Sequence, residues 1–377
     1  MRTTVLSIVI ILTIVACNPV SEETDVINVN IGDARRINFS EWFSGIDIIP
    51  LETNPSSLMY ACNKMVYEHQ RFYIFDQRQR AVFVFDSIGT FLFSTVPLIG
   101  QGPGQYTSMT DFCINSITGN LEILDPFSSF IRVYDKDGVF IKNITLDASL
   151  LPMGKFAQLS SNLYLFYSNA YEQETTKIKV FSVSKKAIVK QILPMPENTR
   201  SLPSVNREVF SWLNDNMMFS YTFSNNDVFQ IDTMAEVAYH YQYDFGKYTF
   251  NPKSLPANQS VAFYRGYYET HNNDYIFPLR KPENLKYRFC FFMFKDDLYV
   301  SRHDKDALLT DVIFTKFKDG GQILPSLYLD EDYIYNSAEP FWLNEMLSKE
   351  MLTPEQQAMV SGMKEDDNTV IIRFKIK

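Results

Sequence analysis

Cysteine is scarce in this chain, with four among 377 residues. Only Cys62, Cys113 and Cys290 lie beyond position 17, so at most one disulfide can form among them, and no Cys-x-x-Cys pair is present for zinc or redox chemistry. Free cysteines of this kind pack as small buried hydrophobes. Histidine is as rare: His69, His240, His271 and His303 have no second His or Cys at ligand spacing, so neither a metal nor a cofactor is expected. Positive charge is in deficit, with a formal net charge of −9, which argues against a nucleic-acid partner because that would need a basic face. There is no Gly-x-Ser-x-Gly elbow for a serine nucleophile. The N-terminal apolar run, Val5 to Val15, has 11 residues and is too short for a bilayer core of about 30 Å, which takes roughly 20.

That short run follows Arg2 and reads as a signal peptide over residues 1–16. It ends in Ile14-Val15-Ala16-Cys17, which resembles the bacterial lipobox, with Cys17 as the thiol that takes the lipid. Residues 17–25 are polar and acidic and read as a lipidated tether, because nothing in them can build a core. Ser21-Glu22-Glu23 is similar to the acidic export tag of surface lipoproteins. The expected location is the cell envelope, lipid-anchored at the outer membrane with the rest of the chain outside the cytoplasm, and surface exposure is one option. Asn18 is not the Asp that retains lipoproteins at the inner membrane under one sorting rule.

The rest of the chain is rich where it matters for strands: 46% is hydrophobic and 15% aromatic, a globular and strand-favouring composition. A repeat then sets the architecture. Phe72-Tyr73-Ile74-Phe75-Asp76, Val82-Phe83-Val84-Phe85-Asp86 and Gly89 return as Leu121-Glu122-Ile123-Leu124-Asp125, Ile131-Arg132-Val133-Tyr134-Asp135 and Gly138. Each of the three landmarks is displaced by 49 residues. Fainter copies follow at Ile178–Ser182 and Val228–Asp232. Short strands joined by Gly turns at this period are the mark of four-stranded propeller blades, which must stack in a ring to bury both faces.

The blade count follows. Residues 341–367 read as a helical insertion, with Thr353-Pro354-Glu355-Gln356 as its capping box. Without it, Ile46 to Lys377 leaves 305 residues, or about six units of 49. The expectation is one all-β domain over residues 26–377: a six-bladed propeller of four-stranded blades. The strand at Ile46–Leu51 is expected to complete the last blade beside Val370–Phe374, closing the ring.

These residues also resemble a family. The Ile/Val-x-Val-Phe/Tyr-Asp-x-x-Gly cadence looks like the NHL-type repeat. Gly100-Gln101-Gly102-Pro103-Gly104-Gln105-Tyr106 is similar to a signature of six-bladed propeller lipoproteins of anaerobic gut bacteria, as is Glu365-Asp366-Asp367-Asn368 before a last strand. The resemblance spans about residues 27 to 377 and implies fold and location rather than activity.

Candidate chemistry is thin. Gly100–Tyr106 lacks the Gly-Lys-Ser/Thr ending of a phosphate loop and reads as a connector between blades. Asp135-Lys136-Asp137-Gly138 lacks the further ligands of a calcium loop and reads as a hairpin turn. Label the strands of a blade a to d from the axis outward. The b–c and d–a connectors then share one face, which brings Gln77-Arg78-Gln79-Arg80, Gly100–Tyr106 and Pro126–Ser129 together. Propeller ligands generally meet loops at a channel mouth, so the expected binding residues are Arg78 and Arg80 for acidic groups, Gln101 and Gln105 beside them, and Tyr106 for stacking. No catalytic residue is assigned, and His271 reads as channel-facing. The leading expectation is a binding or scaffold module for a glycan, a peptide or an envelope protein. The alternatives are a lyase or hydrolase working at the channel mouth, and a structural subunit of an envelope complex. One fold hosts many functions, so the fold does not choose among them.

Overall fold

A computed structural model describes residues 25–150, 154–167, 175–195, 208–220, 226–251, 254–256, 260–271 and 273–377. Residues 1–24, with Cys17, the signal segment and all of the expected tether but Asp25, lie outside the described residues, and Asp25 opens the first strand. The N-terminal segment carries β1 (Asp25–Asn28), a one-turn helix α1 (Phe39–Trp42) and β2 (Phe43–Pro50). Blade 1 follows with β3 (Lys64–Glu68), β4 (Arg71–Asp76), β5 (Ala81–Asp86) and β6 (Phe91–Ser94). Blade 2 has β7 (Asp111–Ile114), β8 (Leu121–Asp125), β9 (Phe130–Tyr134) and β10 (Phe140–Thr145). Blade 3 has β11 (Lys155–Gln158), β12 (Leu163–Tyr167), β13 (Thr176–Ser182) and β14 (Ala187–Pro194). Blade 4 has β15 (Phe210–Leu213), β16 (Asn216–Ser220), β17 (Asp227–Ile231) and β18 (Val237–Asp244). Helix α2 (Val261–His271) leads to blade 5, with β19 (Phe277–Arg280), β20 (Tyr287–Phe294), β21 (Asp297–Asp304) and β22 (Leu309–Phe314). Blade 6 has β23 (Tyr328–Leu329), β24 (Tyr333–Ala338), the helices α3 (Leu343–Met346) and α4 (Pro354–Gly362), and β25 (Val370–Ile376).

The six sheets match the six blades expected from the repeat. The ring closes where β2 pairs antiparallel with β25, from Phe43↔Ile376 to Pro50↔Val370, and becomes the outer strand of blade 6. In addition, β1 lies parallel to β18 as a fifth, outermost strand of blade 4. Between them the chain crosses blade 5, where Arg35 N donates to Val312 O and Phe314 N donates to Arg35 O. The N-terminal segment therefore straps three successive blades.

Burial explains the strand sequences. The middle strands β4, β5, β8 and β9 are buried on both faces because each blade is sandwiched between two others, so they are mostly apolar, with Glu122 and Arg132 the charged residues inside β8 and β9. Six hydrophobic clusters fill the six blade-to-blade interfaces. The repeated aspartates are staples. Buried Asp76, at the end of β4, accepts hydrogen bonds from the amides of Tyr60, Arg78 and Gln79. Asp125, its counterpart in blade 2, accepts from the amides of Thr107 and Ser108. The second repeated aspartate caps the c–d turn: Asp86 accepts from Ile88 N and Thr90 N, and Asp135 from Asp137 N and Val139 N. Each of those turns needs a residue with positive φ, supplied by Gly89 (φ 91°) and Gly138 (φ 83°).

The helical insertion is the b–c connector of blade 6. Thr353 Oγ1 accepts from Gln356 N as the capping box requires, and Leu343, Met346 and Leu347 are buried against the interface of blades 5 and 6.

Candidate functional site

The innermost strands of the six blades surround an axial cavity of about 210 Å³. The exposure of these strands shows which way it opens. β3, β7, β15 and β19 are buried where they begin and more accessible where they end. They begin at the loop face, which carries the b–c and d–a connectors, and end at the opposite face of tight a–b and c–d turns. The cavity is therefore most accessible on the turn face.

At its loop-face end the described residues form a charged belt. Lys64, Asp111 and Lys155 are the first residues of β3, β7 and β11, and all three are buried. Lys64 Nζ donates to Asp111 Oδ1 at 2.9 Å and to Phe112 O at 2.7 Å, and stands 2.5 Å from Glu208 Oε2. Lys155 Nζ reaches the same Asp111 oxygen at 3.4 Å, while Phe156 N donates to Asp111 Oδ2 at 3.2 Å. Arg280 of blade 5 donates to Glu208 O at 3.4 Å and to Ser326 O and Leu327 O of blade 6 at 2.8 and 3.0 Å. The belt thus ties all six blades at the axis. Burial pushes the Glu208 carboxyl up, but Lys64, with Lys155 and Arg280 behind it, outweighs this and holds it at about 2. Glu208 is therefore a fixed anion at neutral pH and has no proton to give as a general acid. Just past the end of β19, Lys281 also lines the cavity, and burial lowers its ammonium to about 8.

The sign of the pH effect follows. A carboxyl depressed from 4.5 to about 2 stabilises the fold fully above pH 4.5, and this contribution is lost as pH falls toward 2. Urea midpoints recorded between pH 6 and about 2 are expected to fall less steeply below pH 4.5 in Glu208→Gln than in the parent. Parallel curves would show that Glu208 is not held by the belt.

The expected binding residues are not gathered at this cavity. Arg78 and Arg80 are exposed on the loop face, and the Arg78 guanidinium lies 3.8 Å from the ring centre of Tyr60, itself 57% exposed. Gln101 is exposed at the perimeter, and Gln105 folds back so that its Oε1 accepts from Gly102 N at 2.8 Å. A side chain at Gly104 would meet Phe140 of β10, an outer strand, which places this loop away from the axis. Tyr106 is a correction. It is fully buried, and its hydroxyl donates to Arg80 O at 2.9 Å and pairs with Thr95 Oγ1 at 2.8 Å. It fastens the connector to blade 1 and offers no surface for stacking. His271 is also corrected: it ends α2, stacked 4.0 Å from Tyr267, and does not line the cavity.

Other reactive groups are muted. Among the described residues no group of three His, Cys, Asp or Glu side chains is placed to hold a metal. Cys62, Cys113 and Cys290 are unbridged, and burial pushes the Cys62 and Cys290 thiols up to about 12, where neither is a thiolate nucleophile at neutral pH. The belt has a sequence signal that motif reasoning passes over. Lys64, Asp111 and Lys155 follow one another at 47 and 44 residues, near the repeat period, at the opening of three successive units.

The class of protein is therefore an all-β, six-bladed propeller with an axial cavity behind a buried ion-paired belt. The chain belongs to the DUF4934 family, a domain of unknown function, which matches residues 24–375. No curated protein matches it. Among solved structures it is similar to a Bacteroides fragilis protein assigned as exported, with 17% identity, a TM-score of 0.72, and coverage of 93% of this chain and 99% of that one. It is also similar to a Bacteroides vulgatus member of the DUF4221 family, with 12% identity, a TM-score of 0.54, and coverage of 89% and 97%. At these identities the likeness concerns the fold.

Proposed function

We propose that this chain is a lipid-anchored binding module of the bacterial cell envelope that takes a glycan, a peptide or a segment of an envelope protein into its axial cavity from the turn face. The observation that carries the reading is the cavity itself. It is walled by strands of all six blades, and the acid at its loop-face end, Glu208, is neutralised by Lys64 rather than poised for proton transfer. Such a site is preorganised for recognition, and the acid at its closed end has no proton to donate. Envelope placement draws support from the lipobox at Cys17 and from the exported Bacteroides fragilis protein of like fold. No helix among the described residues is long and apolar enough to cross a membrane.

Glycan and peptide arrays probed with the domain from Asp25 onward test the binding reading, with turnover assays on every hit. Release of a product from a bound glycan or peptide would replace it with an enzymatic one. Anchoring is tested separately: Cys17→Ala is expected to abolish labelling by a radioactive fatty acid and to move the protein from the membrane fraction to the soluble one. Labelling that persists in Cys17→Ala would overturn the lipobox reading.

A further inference from the structure

We infer that the cavity ligand is a single uncharged sugar ring stacked on Trp212, with one hydroxyl donating to Gln158 Oε1; the inference rests on the cavity-binding reading above. Four observations converge on it.

The first is a polar atom in need of a donor. Gln158 ends β11 and lines the cavity at 5% exposure, yet its Oε1 accepts no hydrogen bond from the described residues. A buried acceptor left without a donor costs on the order of 1–3 kcal/mol, so a ligand hydroxyl or amide there recovers a real penalty. The second is an aromatic face. Trp212, next to the end of β15 in the adjacent blade, lines the same cavity and remains 38% exposed, although indoles rank among side chains that are highly buried on average. The third is charge. The lining holds three cations, Lys64, Arg280 and Lys281, against three carboxylates, Glu68, Glu208 and Glu283. The balance leaves no net charge to attract an ionic ligand. The wall instead carries both donor and acceptor side chains, which suits hydroxyl groups because each of them both donates and accepts. The fourth is size. A cavity of about 210 Å³ falls below the roughly 300–1,000 Å³ of sites for drug-sized molecules, so it fits one ring and not an extended chain.

Calorimetry on the detergent-solubilised full chain tests this, with glucose, galactose and N-acetylglucosamine as probes. Binding by at least one is expected, weakened tenfold or more in Trp212→Ala and, independently, in Gln158→Leu on the neighbouring blade. Trp342→Ala, an exposed indole on the helical insertion, is expected to leave binding unchanged. Sugar binding that survives both cavity substitutions would overturn the inference. If short neutral peptides bind in a Trp212-dependent way and the sugars do not, the sugar assignment fails and the cavity-binding reading stands. If neither class binds, both fail.

Discussion

Gly89→Val is expected to destabilise the protein by about 4 kcal/mol, at the severe end of single substitutions. Gly89 sits at φ 91°, where a residue with a Cβ is already strained by roughly 1–2 kcal/mol. The larger part of the effect comes from contact. A Cβ at Gly89 would lie 2.1 Å from Pro50 O, and Pro50 is the last residue of the ring-closing strand β2. Gly89 O also accepts from Glu52 N at 2.8 Å, so the turn of blade 1 and the exit of the closing strand are hydrogen-bonded to each other. The substitution cannot be relieved by rotating a side chain, because the opposing atom is backbone. Gly246→Val is the control: it has φ 61°, and a Cβ there would meet nothing within 4 Å, so only the conformational strain applies. Urea unfolding followed by circular dichroism measures both. Equal losses would show that the contact with β2 contributes nothing.

Lys64→Met is expected to cost about 3–5 kcal/mol, the scale for removing one partner of a buried ion pair. Burial alone would lower the Lys64 ammonium, but Asp111 and Glu208 together raise it above its ordinary value, so the lysine is charged and central to the belt. Without it, Glu208 keeps only more distant cations, and Asp111 keeps Lys155 at 3.4 Å. Neutralising the acids in the same chain, Lys64→Met with Asp111→Leu and Glu208→Gln, is expected to regain part of the loss, since a buried pair replaced by apolar groups is often near neutral. A triple variant less stable than Lys64→Met would mean that these carboxylates stabilise the axis independently of the lysine.

Much of the fold was legible because its repeats perform the same local task. Asp76 and Asp125 must each accept an amide of the incoming d–a connector, and Asp86 and Asp135 must each cap a c–d turn ahead of a glycine, so the 49-residue spacing survived in the sequence. Closure by Ile46–Leu51 was legible because a lone β-rich segment needed a partner, and β25 provides it. The site was less legible. Its inner strands are mostly four or five residues long, and which of their ends is open depends on how blades pack, not on composition. Tyr106 shows the same limit: an aromatic in a Gly-Pro-Gly loop reads as a ligand platform, yet its ring fills the interface of blades 1 and 2. Gln158 and Trp212 carry no motif, and only closure of the ring brings adjacent blades' strand ends to one cavity.

The direction of β1 has a mechanical consequence. Because β1 runs parallel to β18, Asp25 is its turn-face end, and a pull on that end runs along the strand. Its hydrogen bonds to β18 are then loaded in shear, all together, rather than peeled one at a time. The load enters at Asp25, where Arg288 Nη1 stands 2.5 Å from the carboxylate. What β1 does not carry passes next to the outer edge of blade 5 at Arg35, and only then to β2. The closing strand is thus the last of three contacts to feel tension, and a tethered propeller would keep its ring shut under drag that had already begun to free its first strand.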